Sequence, residues 1–417
     1  MPYKYFDNSK QNLYFVITFF YLFLIIAFIF SLDPNGGAYP DYLNQKKISQ
    51  NFAVDFKYEL FNFDKTTTRH SPVLLIILSF FERYEINDYL IRIINLHFCL
   101  LLPILFYKII TLKYKSINFQ NKILLSCLVF LSPTFISLSI WPDSRIYGLI
   151  FFCLALIEYL KFEQEKKFSN SIKCVVWYAI SSYFSLNFAL FAIFFLYKFF
   201  LTYKLSNKFI YILIFNFILS TPALLYVFSL DTIFFLKSGI AGKDFESLNS
   251  LNYFNKIIII PSIIFFYLIP FYFTKLIKID SNIFKVYNII LSLLVFLISI
   301  FFFDYRGNYS GGGIFFKISN YFFLNNLIFY FIGFLSILIV SNICRLNFDN
   351  FLIIFLLILS NVQYSIYHKY YDPFLFILFF SIINLNFQKQ KLKDLQVSYF
   401  YLFVTFFLIL NLLKNNF

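Results

Sequence analysis

Long apolar runs alternate with short polar connections along the whole 417-residue chain. A helix needs about 20 residues to cross about 30 Å of hydrocarbon. Runs of that order lie near 13–31, 88–110, 121–140, 144–160, 172–186, 187–203, 208–228, 256–274, 284–303, 321–341, 350–365, 371–386 and 398–413. Backbone groups inside lipid must be satisfied within their own segment, so each run predicts a helix. The pattern predicts an all-α polytopic membrane protein of about thirteen spans, with residues 1–417 forming a single integral membrane domain.

One polar stretch breaks the rhythm. Residues 32–87 separate the first two spans, and the stretch has structure of its own. Within it, 41–56 predicts an interfacial helix, since Leu43, Ile48, Phe52 and Val54 recur among Lys46, Lys47, Gln50 and Asn51. The apolar segment 72–83 is too short to span and predicts a second one.

Composition agrees with the pattern. The chain is 60% hydrophobic and 13% charged, whereas soluble domains carry roughly 25% charged residues. Its 66 Phe and 33 Tyr reflect a general residue bias, so an aromatic stripe by itself carries little information. Cys99, Cys127, Cys153, Cys174 and Cys344 fall in or at the end of apolar runs without a CxxC pair. Neither a disulfide framework nor a thiolate metal site is expected. The first apolar run has no small-residue cleavage site ahead of it and reads as a retained anchor.

Charge supplies sidedness, because cytoplasmic connections collect Lys and Arg. With the N-terminus inside, the inner segments hold 20 of the 35 basic residues and 7 of the 21 acidic ones, Glu158 included. That difference accounts for nearly all of the net charge of +14, so no nucleic-acid partner is needed to explain it. The expected arrangement has the N-terminus in the cytoplasm and four polar elements on the outer face.

The first outer element opens with Leu32-Asp33-Pro34-Asn35-Gly36-Gly37-Ala38-Tyr39-Pro40-Asp41 and runs on to Arg69-His70-Ser71-Pro72. A carboxylate beside a helix end, partly shielded from water, can accept a proton as a general base. Asp33 and Asp41 are the candidates, and each has a plainer reading as a turn or helix-cap residue. The second element is the Trp141-Pro142-Asp143-Ser144-Arg145-Ile146-Tyr147 turn. Its Arg145 fork either grips a phosphate or carboxylate or pairs with Asp143. The third, Tyr364-Ser365-Ile366-Tyr367-His368-Lys369-Tyr370-Tyr371-Asp372-Pro373, sets His368 and Lys369 as cations among tyrosines. They suit a phosphate leaving group or a headgroup anchor. The fourth lies in the outer loop 304–320, where Gly307, Gly311, Gly312 and Gly313 suggest either a mobile cover or a plain connector.

The three histidines, His70, His97 and His368, form no cluster with cysteine. No cofactor is expected; a carboxylate-bound divalent cation in the first outer loop stays open, although nothing in the sequence specifies one.

Together these motifs resemble the polyprenol-phosphate-sugar-dependent glycosyltransferases of the GT-C fold, in the branch of the protein O-mannosyltransferases and aminoarabinose transferases. Asp33 stands where that family has its catalytic carboxylate, with Asp41 as the alternative. Arg69-His70-Ser71-Pro72 is similar to its His-Pro-Pro or Lys-Pro-Pro segment. Arg92 matches the arginine that opens the second span, Arg145-Ile146-Tyr147 its Arg-x-Tyr motif, and Tyr370-Tyr371-Asp372-Pro373 its Arg-Tyr-x-x-Pro motif. The resemblance covers residues 13–165 and the last motif. The chain departs from it in Asp33-Pro34 for Asp-Glu, in Ser71 for the second proline, and in His368-Lys369 for an arginine.

The resemblance implies an envelope enzyme of a bacterial inner membrane. It would pass a sugar, by inverting transfer, from a polyprenyl-phosphate donor to a lipid, glycan or protein acceptor on the periplasmic side. His70, Arg92, Arg145, Tyr147, His368, Lys369 and Tyr371 would bind substrate, and membrane lipids would surround the whole chain. The rival readings are a surface-polysaccharide polymerase or ligase, and a multi-span transporter or lipid flippase. The missing internal repeat and the one-sided polar motifs stand against a transporter.

Overall fold

The computed structural model describes residues 8–66, 68, 71–230, 252–278, 281–305, 311–361 and 365–414. Among the described residues every regular element is helical. Five helices among the described residues are long and apolar enough to cross a membrane: Asp88–Lys113, Leu186–Tyr203, Asn207–Ser229, Tyr253–Phe273 and Leu327–Leu346. Phe119–Leu131 and Pro133–Ile140, bent by 65° at Ser132, make a sixth if they are counted together.

The other expected spans have shorter or more polar helices. Asn8–Ile29, Val286–Phe301 and Ser398–Lys414 coincide with expected runs. Ser144–Glu165 extends its run with a charged final turn. The run at 350–365 is helical only as Phe348–Leu359.

The run at 371–386 departs furthest from expectation. Its helix, Phe374–Phe379, lasts six residues and the chain then turns, buried through Ile383 and exposed at Asn384. The buried turns bond within themselves, the N–H groups of Ser381, Ile382 and Ile383 all donating to the Leu378 carbonyl, and Asn350 takes over at Asn384. Its side-chain amide donates to the Asn384 carbonyl at 2.8 Å, and its side-chain oxygen accepts from the Asn384 N–H at 2.8 Å. Backbone groups satisfied by a neighbouring helix do not need one of their own.

Contacts sort the polar ends into two sets. At one end Lys198 Nζ pairs with Asp349 at 2.6 Å, and Lys113 lies 3.8 Å from Glu163. There too the Gln388 N–H donates to the Leu276 carbonyl at 3.0 Å, and Asn121 donates to the Leu395 carbonyl at 3.1 Å. All of these belong to segments that the charge count assigns to one face. At the other end lie the first polar stretch and the turns at 141–145 and 365–373.

The first stretch forms the Ala38–Val54, Phe56–Phe61 and Pro72–Arg83 helices. Ser71 starts the last of these by accepting from the Val73 N–H, with Pro72 in the first turn, where its missing N–H costs nothing. The Ala38–Val54 helix packs along Pro72–Arg83 and is tied to the start of Asp88–Cys99. There the Tyr42 hydroxyl and Lys46 both donate to Asp88. Lipid-sized apolar surface remains on Asn207–Ser229 and Val286–Phe301, whose Leu, Ile and Phe side chains are largely exposed.

Candidate active site

Four charged groups meet where the Ala38–Val54 helix, the 141–145 turn and the 368–370 turn come together. Asp143 caps the Ser144–Glu165 helix, its Oδ1 accepting from the Arg145 N–H at 2.8 Å. The same carboxylate takes the Arg145 side chain in a fork, Nε at 2.8 Å and Nη2 at 2.5 Å. Both groups are almost fully buried, and paired geometry of this kind lets two charges persist away from water. The guanidinium also lies over the Tyr370 ring, 5.2 Å from its centre.

Arg145 Nη2 reaches further, to Asp41 Oδ2 at 3.2 Å, and Lys369 Nζ donates to the same oxygen at 2.8 Å. Asp41 therefore receives two cations, yet its side chain is 37% exposed against 9% for Arg145 and 13% for Lys369. Partial burial raises the Asp41 pKa, but Lys369 and then Arg145 outweigh it and hold the carboxyl below its usual value. Lys369 Nζ also faces Gly37, where an added Cβ would sit 3.8 Å away.

Behind this cluster lies a cavity of about 570 Å³ of non-atom space, its open mouth included. Arg145 and Lys369 line one part of it, and Leu138, Ile146, Leu149, Phe188, Leu357 and Phe374 supply apolar wall. Ser185, Asn187, Ser360 and Asn361 contribute neutral polar groups that the sequence reading did not single out. Their only signal was position, near the ends of apolar runs on the expected outer side.

The other expected site residues fall into different roles. Asp33 is not among the residues lining the cavity. Its carboxylate accepts from the N–H groups of Gly36, Ala38 and Tyr39 at 3.2, 2.8 and 3.1 Å, so it shapes the turn that launches the Ala38–Val54 helix. Arg92 lies 3.8 Å from the Trp141 ring centre and 4.9 Å from that of Phe28. It donates to the Ile140 carbonyl at 3.2 Å and to Ser31 Oγ at 3.0 Å. It positions the turn that carries Arg145. Trp141 in turn packs on Tyr39, with ring centres 4.6 Å apart, fixing the helix that carries Asp41.

Tyr147 stacks between Phe98 and Phe184, at 5.0 and 5.4 Å, and does not line the cavity. Tyr371 does line it and is buried, its hydroxyl 3.5 Å from the Asn361 amide. His368 is set among Phe266, Tyr267 and Phe407, with Nδ1 3.3 Å from the Tyr267 hydroxyl, away from the cavity lining. His70, with Arg69, lies outside the described residues.

The turn that presents Lys369 is held from two sides. Asp372 accepts from the Ser132 hydroxyl at 2.6 Å and the Thr134 N–H at 3.0 Å, all of it buried. The Ile366 carbonyl accepts from the Gly312 N–H at 2.8 Å. Gly311, Gly312 and Gly313 all have φ between +78 and +90, and a Cβ at Gly311 would come within 2.5 Å of the Ile366 oxygen. These glycines permit close approach of two backbones at this end of the loop; its residues 306–310 lie outside the described residues.

Among the described residues no three His, Cys, Asp or Glu side chains gather as metal ligands. Compared with protein-family models, curated proteins and solved structures, the chain matches none. The site therefore has to be read from its own chemistry: a carboxylate under two cations beside a cavity that is apolar with neutral polar groups.

Proposed function

We propose that the protein is a membrane glycosyltransferase that moves a sugar from a polyprenyl-phosphate carrier to an acceptor hydroxyl on a lipid, glycan or protein. In this reading it has a GT-C-like architecture of about thirteen spans, with its N-terminus in the cytoplasm of a bacterial cell and its site on the outer face of the inner membrane. The observation that carries the proposal is the convergence of Arg145 and Lys369 on Asp41 at the edge of the cavity that both cations line.

The chemistry needs a base for the acceptor proton and cations for the leaving phosphate. When the donor phosphate takes over Arg145 and Lys369, the Asp41 side chain is released toward the acceptor. The acceptor oxygen then bonds to C1 of the sugar as the C1–O bond to phosphate breaks. The electron pair leaves on the polyprenyl phosphate, stabilised by the two cations, and the acceptor proton goes to Asp41. Asp41 replaces Asp33 as the preferred base, because the Asp33 carboxylate is engaged by three backbone N–H groups of its own turn.

The test uses the full chain in phospholipid vesicles with a radiolabelled polyprenyl-phosphate hexose, and membranes from cells lacking the gene as acceptor source. Loss of a general base costs about 10²–10⁴-fold in rate. Asp41→Asn is expected to lose transfer on that scale while still binding the donor lipid. Transfer at the wild-type rate in Asp41→Asn rejects the reading.

A further inference from the structure

The polar end opposite the Asp41 cluster carries a second concentration of charge, built from three segments. Phe387 packs against both Tyr114 and Phe271, with ring centres 5.8 and 5.6 Å apart. The Gln388 N–H and side-chain amide donate to the carbonyls of Leu276 and Lys275 at 3.0 and 2.9 Å. Asn121 donates to the Leu395 carbonyl at 3.1 Å, and Leu276, Leu392 and Leu395 are buried. Segments 114–122, 271–278 and 386–397 are thereby joined into one surface.

Its outward side chains are basic. Lys115, Lys275, Lys278, Lys389, Lys391 and Lys393 are all exposed, and none has an ion pair among the described residues. Asp394 is the one acid within the three segments. Elsewhere at this end Lys113, Lys161, Lys167 and Lys198 each pair with a carboxylate. The general preference for lysine on one side of a membrane accounts for the sign of the charge. It does not by itself gather six unpaired cations from three segments.

Apolar surface begins directly beside them. Phe119 opens the Phe119–Cys127 helix, Phe273 ends Tyr253–Phe273, and Tyr399 lies in the first turn of Ser398–Lys414. All three rings are exposed. Cations above a band of aromatic surface match the layers of a bilayer edge, phosphate outside and hydrocarbon inside. A soluble acidic partner has no use for that band.

We propose that this surface binds the headgroups of anionic phospholipids in the leaflet it faces, their phosphates among the lysines and their acyl chains against Phe119, Phe273 and Tyr399. On the charge count that leaflet is the cytoplasmic one. A zwitterionic headgroup is disfavoured, because its ammonium meets only cations. The inference needs the protein to span a membrane and does not depend on the transferase reading.

The test titrates the full-length protein, in neutral detergent, with fluorescent phosphatidylglycerol and with fluorescent phosphatidylcholine of the same acyl chains. A basic side chain near an anionic membrane surface contributes about fivefold in affinity. Phosphatidylglycerol is expected to bind at least about tenfold tighter than phosphatidylcholine. The triple variant Lys389→Gln, Lys391→Gln, Lys393→Gln is expected to lose most of that preference. Lys275→Gln with Lys278→Gln, on the neighbouring segment, is expected to lose a large part of it independently. Lys173→Gln, Lys204→Gln and Lys208→Gln together remove the same charge from other exposed positions at this end and are expected to keep the preference. Exposed substitutions change stability little, and unfolding temperatures of the same samples verify that each variant is folded.

Equal affinity of the wild type for the two lipids overturns the proposal. So does an equal loss in the control triple variant, since overall charge and not this surface would then hold the lipid. Arg145→Ala, at the opposite end, is expected to leave phosphatidylglycerol binding as it was. Loss of that binding in Arg145→Ala would move the lipid to the Asp41 cluster and also overturns the proposal.

Discussion

Lys369 Nζ donates to Asp41 Oδ2 at 2.8 Å across 328 residues of chain, and Arg145 reaches the same oxygen at 3.2 Å. A carboxylate oxygen occupies the place where a phosphate oxygen would suit both cations. On the proposed function Asp41 is a placeholder, and its removal is expected to have opposite effects on binding and turnover. Asp41→Ala is expected to tighten polyprenyl phosphate binding severalfold, because the cations no longer have to be released, while transfer falls about 10²–10⁴-fold. Equilibrium binding of a fluorescent polyprenyl phosphate, measured beside single-turnover transfer, checks both. Binding that weakens along with transfer excludes the placeholder role.

Asp33 has a different predicted profile. Its carboxylate accepts from three N–H groups at the start of the Ala38–Val54 helix, as a capping side chain does. Asp33→Asn keeps one acceptor oxygen and is expected to cost about 1 kcal/mol of stability, with transfer reduced less than tenfold. Thermal unfolding in detergent, set beside transfer rates for Asp33→Asn and Asp41→Asn, separates the two. If Asp33→Asn unfolds like the wild type but has lost all transfer, the base is Asp33 after all.

How much of this could be read from the chain varies with the reach of the interactions. Runs such as 208–228 and 256–274 announced their helices because a continuous apolar stretch has one way to satisfy its backbone in lipid. The run at 371–386 looked the same in sequence, yet beyond Phe379 it continues as turns bonded to the Leu378 carbonyl and is tied at Asn384 to the side chain of Asn350, which no local pattern reveals. Asp41, Arg145 and Lys369 were each visible as charges at helix ends. Their meeting at one oxygen depends on packing between segments 104 and 328 residues apart. Asn187 and Asn361 went unnoticed because neutral polar residues at a helix break look like ordinary caps.

Arg92 illustrates a residue that matches a binding motif and does structural work. Its guanidinium packs over Trp141 and donates to the Ile140 carbonyl, holding the turn that ends in Arg145. Lys keeps the charge but loses the planar fork. Arg92→Lys is therefore expected to lower the unfolding temperature, with loss of about 1–2 kcal/mol. The ratio of affinities for polyprenyl-phosphate hexose and bare polyprenyl phosphate should stay at the wild-type value. A change in that ratio without a change in unfolding temperature would return Arg92 to the substrate.

Gly311 gives a test of how the Lys369 turn is held. With φ at +90 and the Ile366 oxygen 2.5 Å from an added Cβ, Gly311→Ala forces the two backbones apart. The expected result is lower stability together with weaker polyprenyl phosphate binding, since Ile366 lies three residues before Lys369. Gly36 also has positive φ, at 70, but sits in the exposed Asp33 turn. Gly36→Ala serves as the control, a strained substitution expected to leave the Lys369 turn in place. Equal losses of lipid binding in the two variants would show that strain alone, not the Ile366 contact, is responsible.

The pH dependence follows from the partners of Asp41. In the free protein, burial raises its pKa, but Lys369 and Arg145 outweigh this and hold it below the usual carboxylate value, which is about 3.9. The base is then ionised throughout the neutral range and is lost only as pH falls through that depressed value. In the proposed donor complex the phosphate takes the two cations and adds its own negative charge, so the burial contribution is expected to stand unopposed and the pKa to rise. The acid limb of kcat/KM reports the free enzyme and that of kcat the complex. The kcat limb is therefore expected at the higher pH. Lys369→Ala removes the larger of the two lowering influences and should shift the kcat/KM limb upward toward the kcat limb. An acid limb of kcat/KM that does not move in Lys369→Ala would mean that the titrating base is not Asp41.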